Sequence, residues 1–596
     1  MTMRDRVRWL ELRDELNSSG LSRRDVARMG LLAAGGVLLG ANGRPARAQS
    51  IIPGQEFPPS PRTRPFVQPL AVRTPARPQT LDPPVNPNAH QYYRRFPARR
   101  TYAFNTREFQ FSAHPDLPPS TRWGYDGQLP GPLVDARYGE PVVIRVTNSL
   151  PTVAEHRGYG IPQIITHLHN FHSATESDGG PWDWYPTGRS KDHHYTMARA
   201  GFSIPQTIPA EFRDASGGDV RETLTTLFFH DHRPDFTAPN VYRGLLGLFR
   251  IFDERDTGDE TDASGLAWRL PSGRFDLPLV IQDQRYTPQG QLFFDQFNLD
   301  GHLGDKYVVN GRIQPFHEVQ RRKYRLRVYT PGPARIYQLV LRVDGRNHPF
   351  TQISHSGNLL PSPRRNLTRI EMVPANRVDL IVDFGQIPAG ATVRLANVLP
   401  HYNGRKPERG ELLNPDQTDN QIMEFRVVGG AVNDPSRVPS FFRPLPPTNL
   451  PVARRREWKF GRGNGQWQIN GELFDVEADH APERLRNPRN AIRANTNEIW
   501  LLESGGGWEH PVHIHLEEGQ AIAVDGNPVA PANRFRADVY NLYDDAREIE
   551  VMMSFRDFPD PDFTAPPVGE RGRYVIHCHN TTHEDHAMMQ TWNVVR

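Results

Sequence analysis

The 596-residue chain has a single cysteine, Cys578, so no intramolecular disulfide can staple it. It has little apolar sequence of membrane length. The run from Met29 to Ala41 is 13 residues, against the ~20 that a spanning helix needs. It also lacks an excess of one charge. Residues 1–48 hold nine arginines and five acids, and outside them 62 basic residues face 63 acidic ones. A near-neutral body offers no electrostatic footprint for nucleic acid or an anionic membrane. Methionine is scarce too: beyond residue 48 only Met197, Met372, Met423, Met552, Met553, Met588 and Met589 occur, with no long cluster. With 56 prolines and 48 glycines, long helices are disfavoured.

What is present points to an exported β protein. Hydrophobic residues at 37% and charged residues at 23% suit a globular chain, and this length predicts three or four domains. Ser22-Arg23-Arg24-Asp25 precedes the apolar run, and the small-x-small pattern Ala46-Arg47-Ala48 follows it. That order predicts a twin-arginine-type export signal over residues 1–48, cleaved after Ala48, and a periplasmic or extracellular protein. Val26-Ala27 replaces the bulky pair usual after the arginines. Residues 49–100 carry twelve prolines and read as an extended arm.

From about Arg100, short β-branched or alternating runs are separated by Gly, Pro, Asn and Asp; Pro141–Val146, Tyr324–Tyr329 and Val378–Phe384 are examples. An acidic stretch around Glu254–Gly265 and a proline-rich stretch from Gly429 to about Arg455 divide this text. The expected fold is all-β, with three domains at 101–253, 270–430 and 455–596, each of a size that suits a sandwich.

Histidine pairs of the form His-x-His occur four times: His167/His169, His230/His232, His513/His515 and His577/His579. The first two start 63 residues apart and the last two 64 apart, so the outer domains share one layout. The middle domain has only scattered histidines, which predicts three copies of one sandwich with no metal ligands in the central copy. On a strand, residues i and i+2 share a face, so each pair is a clamp for a metal ion. Cys578 lies inside the last pair and points to the other face, so it binds a different metal from its neighbours. His583 follows five residues on, Met588 ten on, and His510 opens the run His510-Pro511-Val512-His513. Two histidines, a thiolate and a weak axial thioether make a blue-copper electron-transfer set, with Met589 the alternative axial residue.

These residues resemble the multicopper oxidase family, in its bacterial spore-coat laccase and bilirubin oxidase branch. "HCHNTTHEDHAMM", "LFFHDHR", "NVYRGLLGLF", "VVNGRIQPF" and "MVPANRVDLIVDF" carry the likeness, which spans about residues 100–596. The resemblance implies three cupredoxin-like Greek-key β-sandwich domains and four copper ions. It places one type 1 copper on His510, Cys578, His583 and Met588, and one type 2 copper on His167 and His513. Two type 3 coppers fall to His169, His230, His232, His515, His577 and His579. Asn170 departs from the glycine that many relatives carry after the first pair.

The implied activity is one-electron oxidation of a small aromatic reducing substrate (phenols, aromatic amines or bilirubin-like pigments), coupled to four-electron reduction of dioxygen to water. Asp178 and Glu584 match acidic positions used by the family near the cluster, as proton carriers. An Asx-type turn and a solvated salt bridge are the alternatives for these two. His172, His193, His194 and His586 are expected beside the cluster or at the surface. The protein is expected to be a monomer with no nucleic-acid partner and no membrane contact after cleavage. Cuprous or other metal-ion oxidation in copper tolerance is the competing activity, and the scarcity of methionine counts against it. A non-catalytic copper-binding or structural protein is the competing non-enzyme reading.

Overall fold

The computed structural model describes residues 57–476, 490–560 and 571–596. The expected export signal at residues 1–48 and the first residues of the arm lie outside them. The all-β expectation holds: among the described residues strands are the main regular structure, with three short α-helices, Thr175–Asp178, Thr237–Arg243 and Thr581–Glu584.

Three successive stretches each form a pair of sheets around one core. In the first, the strands Ser120–Tyr125, Arg100–Phe111, Val142–Asn148 and Ser190–Tyr195 form one sheet in that order. Leu133–Arg137, Leu246–Phe252, Thr226–Asp231 and Thr166–Leu168 form the other. Alternation along Arg100–Phe111 turns Tyr102 and Phe104 inward, where they meet Val134, Phe229 and Phe249 of the facing sheet. The middle stretch joins an eight-stranded and a six-stranded sheet, and the last a seven-stranded and a five-stranded one. The last core holds Trp458, Trp500 and Trp592, the latter two meeting edge to face at 5.5 Å.

The internal repeat is visible in the strand pairing. Each domain has two parallel pairs among its antiparallel ones. In the first they are Arg100–Phe111 with Val142–Asn148, and Leu133–Arg137 with Leu246–Phe252. The middle domain pairs Asp276–Tyr286 with Lys323–Thr330, and Phe316–Arg321 with Gln421–Ala431. The last pairs Val452–Gly463 with Thr496–Ser504, and Ala491–Arg493 with Met589–Val595.

The proline-rich arm lies along the first two domains as a strap. The Leu70 amide donates to Phe316 O at 2.7 Å, and the Ala76 amide to Leu133 O at 2.7 Å. Proline suits this path because an edge strap needs few backbone donors. All three domains meet at an apolar junction that includes Phe228 and Leu248 from the first, Tyr329 and Val373 from the second, and Val539 from the third.

Candidate metal centres between the first and third domains

The four histidine pairs sit where sheets end. Thr166–Leu168, Thr226–Asp231, His510–Ile514 and Arg573–Cys578 each carry the first histidine of a pair, and the second follows just beyond the strand. The second histidine stands at the strand end but is still tied to the paired segment by its amide: His169 to Phe228 O, His232 to Ile165 O, His515 to Val575 O and His579 to Pro511 O. Register then groups the rings. His167 lies across from His230 in the first domain, and His513 across from His577 in the third. The two domains press these edges together, so that His167 stacks on His515 at 3.9 Å and His169 on His513 at 3.7 Å between ring centroids.

All eight rings are buried. Burial pushes the pKa of His230 down to about 3 and of His232 to about 4, lowers that of His513, and holds His167, His169, His515 and His579 well below the ordinary value. Neutral imidazoles are what a metal ion requires. The protein also fixes which nitrogen carries the proton. His167 Nδ1 donates to Asp178 O at 2.6 Å, His230 Nδ1 to Asp231 O at 2.8 Å, and His515 Nδ1 to Asp178 Oδ2 at 2.7 Å. Their Nε2 atoms face inward. His167 and His513 approach at 3.5 Å through Nε2, and His577 Nε2 lies 3.3 Å from that of His515 and 3.4 Å from that of His232. His169 Nδ1, His230 Nε2 and both ring nitrogens of His579 have no hydrogen-bond partner, and His169 Nε2 has only the Asp538 carboxylate beside it at 2.8 Å. Orphaned buried nitrogens aimed at one another are costly unless metal ions satisfy them, so this donor set fits a metal cluster.

A separate group forms on the other side of the last strand. Cys578 Sγ lies 3.6 Å from His510 Nδ1 and 3.6 Å from His583 Nδ1. Met588 is wholly buried and packs in the same core as Cys578, whereas Met589 packs with Phe474 and Val575. Burial pushes the Cys578 thiol well above its usual value, so a bound cation is what would hold it as thiolate. This soft donor set fits copper. His583 Nε2 donates to Asp300 O at 3.0 Å, and the Trp467 indole packs over the His583 ring at 4.0 Å. Trp467 in turn meets Trp508 at 5.1 Å, and Trp508 Nε1 donates to Asp300 Oδ1. The middle domain thus covers this centre through Asp300 without supplying a ligand.

The two acids lie against the histidine cluster. Asp178 closes the helix Thr175–Asp178, and its carboxylate bonds the His515 ring. Gly179 follows at φ +85°, where an added Cβ would stand 2.1 Å from Thr166 O, so glycine is required to press this turn onto the His167 strand. Burial raises the Asp178 carboxyl well above its ordinary value. Glu584 is buried, with Oε2 3.1 Å from His577 Nδ1 and Oε1 3.7 Å from His232 Nδ1. Burial opposes its ionisation, yet the His577 and His232 rings hold it down at about 2. Glu584 is therefore not a solvated salt bridge.

Asn170 has φ +71°, a conformation that glycine adopts freely and asparagine tolerates, and its side chain donates to Ser356 O and Glu518 Oε1. His172, His193, His194 and His586 are buried, not at the surface. His172 Nε2 bonds Asp557, while the rings of His193 and His194 bond Ser177 O and Phe96 O. Sequence reasoning missed Asp538, Arg377, Asp300 and Trp467. None lies in a histidine motif, and only the packing of domains brings them to the centres.

Buried histidine clusters where two domain edges meet, beside a His510–Cys578–His583 group, on repeated two-sheet units, are donor sets that could hold metal ions and fit a copper-dependent oxidase. Family models described as "Multicopper oxidase" match residues 110–199 and 462–596. The bilirubin oxidase of Albifimbria verrucaria is 30% identical, over 90% of this chain and 82% of that protein. A laccase of Haloferax volcanii is 29% identical, over 89% and 85%, and a Bacillus subtilis laccase 27%, over 83% and 94%. Among solved structures, a variant of the multicopper oxidase McoA from Aquifex aeolicus has a TM-score of 0.67 at 23% identity, covering 89% of this chain and all of that one. The chain belongs to the multicopper oxidase family, as an oxidoreductase that uses oxygen and a reducing substrate. No helix among the described residues is long and apolar enough to cross a membrane.

Proposed function

We propose that the protein is a laccase-like oxidase of small aromatic reductants, such as phenols, aromatic amines or bilirubin-like pigments, acting outside the cytoplasm after twin-arginine export. The observation that carries the reading is the pairing of two buried centres through one tripeptide. Cys578 belongs to one centre, and its covalent neighbours His577 and His579 belong to the other.

In this reading His510, Cys578, His583 and Met588 hold a type 1 copper, and His167 with His513 a type 2 copper. One type 3 copper takes His169, His230 and His579, and the other His232, His515 and His577. Bound copper supplies one-electron redox chemistry at the first centre and dioxygen reduction at the second. The protein's own residues do the rest. The cover of Trp467 and the Asp300 carbonyl keeps water from the Cys578 sulfur. The 577–579 backbone gives a short path for electrons. Asp178 and Glu584 stand against ligand rings, where they can hold or pass the protons that water formation consumes.

The names of the relatives, laccases and a bilirubin oxidase, support the aromatic substrate class. A panel of phenols, aromatic amines, bilirubin, cuprous and ferrous ions, assayed by oxygen uptake with copper counting, tests the reading. Preference for cuprous ion over every organic reductant would overturn it.

A further inference from the structure

The middle domain contributes no histidine to the cluster, yet it reaches two of the ligand rings through one ion pair. Asp538 is wholly buried just before the strand Val539–Leu542. Its Oδ2 lies 2.8 Å from His169 Nε2 and 3.2 Å from His513 Nδ1, and its backbone carbonyl lies 3.1 Å from the same His513 nitrogen. From the other side Arg377 donates to both carboxylate oxygens at 3.1 Å. Arg377 is itself fixed, by donation to Ala375 O at 2.7 Å and Ser356 O at 2.9 Å. Ser356 and Gly357 form a turn with φ of 46° and 76°. A Cβ on Gly357 would stand 2.7 Å from Thr226 O, so the turn can seat against the first domain only with glycine there. Ser356 O also accepts from Asn170, the residue next to His169.

A carboxylate is an acceptor with about four lone-pair sites, and here it faces two ring nitrogens and two N–H groups of the Arg377 guanidinium. A neutral imidazole ligates only through the nitrogen that carries no proton. With Nε2 of His169 turned to Asp538, its Nδ1 remains for the cluster. His513, turned the other way, presents Nε2 beside that of His167.

We infer that Asp538, braced by Arg377 of the middle domain, is a positioning residue that sets the ring orientation of His169 and His513, and so selects Nδ1 of the first and Nε2 of the second as ligating atoms. This rests on the copper-ligand reading above. It gives the ligand-free domain a part in building the cluster: two rings that serve different coppers are tied to one carboxylate braced from the middle domain. Partners of this kind are typically worth 10–100-fold in metal affinity.

The test uses the full-length protein with copper counting, type 1 absorption and EPR. The wild type, with four coppers per chain and both type 1 and type 2 signals, checks the ligand reading by itself. Asp538→Asn keeps the shape but removes the negative charge that both rings and the guanidinium face. It should keep type 1 absorption while the type 2 signal shifts or falls, and copper at the histidine cluster should be released to a chelator at about 10–100-fold lower chelator strength. Arg377→Met should act in the same direction. The double variant Arg377→Met with Asp538→Asn leaves no lone buried charge, so it should recover thermal stability without recovering the type 2 signal. A wild-type type 2 spectrum and copper retention in Asp538→Asn would overturn the inference. So would a double variant that regains stability and the type 2 signal together, since the pair would then serve the fold alone.

Discussion

Glu222 offers a test of how the two halves of the cluster are held together. It lies in the first domain, and its Oε1 and Oε2 pair with Arg556 of the third at 2.5 and 2.9 Å; Arg536 reaches Oε2 at 3.2 Å. All three side chains are buried or nearly so. Glu222→Gln removes the carboxylate and leaves two guanidinium groups in the interface. Breaking a buried pair costs about 3–5 kcal/mol. Arg556 keeps Glu517 at 2.9 Å and Arg536 keeps Glu518, which puts the cost near the lower end, about 3 kcal/mol. That is roughly a hundredfold more opening between the domains.

The proposed type 1 ligands all come from the third domain, whereas the histidine cluster takes rings from both. Opening should therefore release copper from the cluster while the blue colour persists. The assay is copper transfer to a chelator in mild denaturant, with EPR and type 1 absorption read on the same samples. Release no faster than in the wild type, or loss of blue colour first, would refute the reasoning. The acid limb gives a second reading. Burial raises the Glu222 carboxyl, but Arg556 and Arg536 hold it at about 2 against an ordinary 4.5. A depressed carboxyl contributes stability that is present above the ordinary value and lost as pH falls toward the folded one. The wild type should lose this contribution between about pH 4.5 and 2, and Glu222→Gln should show a flatter limb there.

Three further outcomes are expected. Cys578→Ser should abolish the thiolate absorption while the histidine cluster still loads; a variant that stays blue would remove Cys578 from the type 1 set. Met588→Leu should keep the colour and raise the type 1 potential, measured by redox titration, and Met589→Leu should leave both colour and potential unchanged, because Met589 packs in a different core. Asp178→Asn and Glu584→Gln should slow oxygen uptake per copper by about 10²–10⁴-fold if they carry protons, more so as pH rises, with type 1 reduction by substrate near wild-type speed. Normal uptake per copper across the pH range in both variants would assign these acids to holding His515 and His577 alone.

The all-β class and the metal chemistry were legible in the sequence because they depend on local rules. Turn residues punctuate the strands, the histidine pairs recur at matched spacing, and on a strand Cys578 faces away from His577 and His579. The repeat could be read for the same reason, since each sandwich carries its own pattern. Other features depend on which strands face each other. His167 meets His515, and His169 meets His513, only because two sheet edges from different domains abut. The proton positions on the rings come from carbonyls and carboxylates that pattern cannot place, such as Asp178 O on His167 and Asp538 between two rings. Asp300, Trp467 and Arg377 reach the centres from positions with no motif of their own. Strand spacing determines which residues can ligate a metal; the buried hydrogen bonds between domains decide which nitrogen each one offers, because only there is water absent and a partner obligatory.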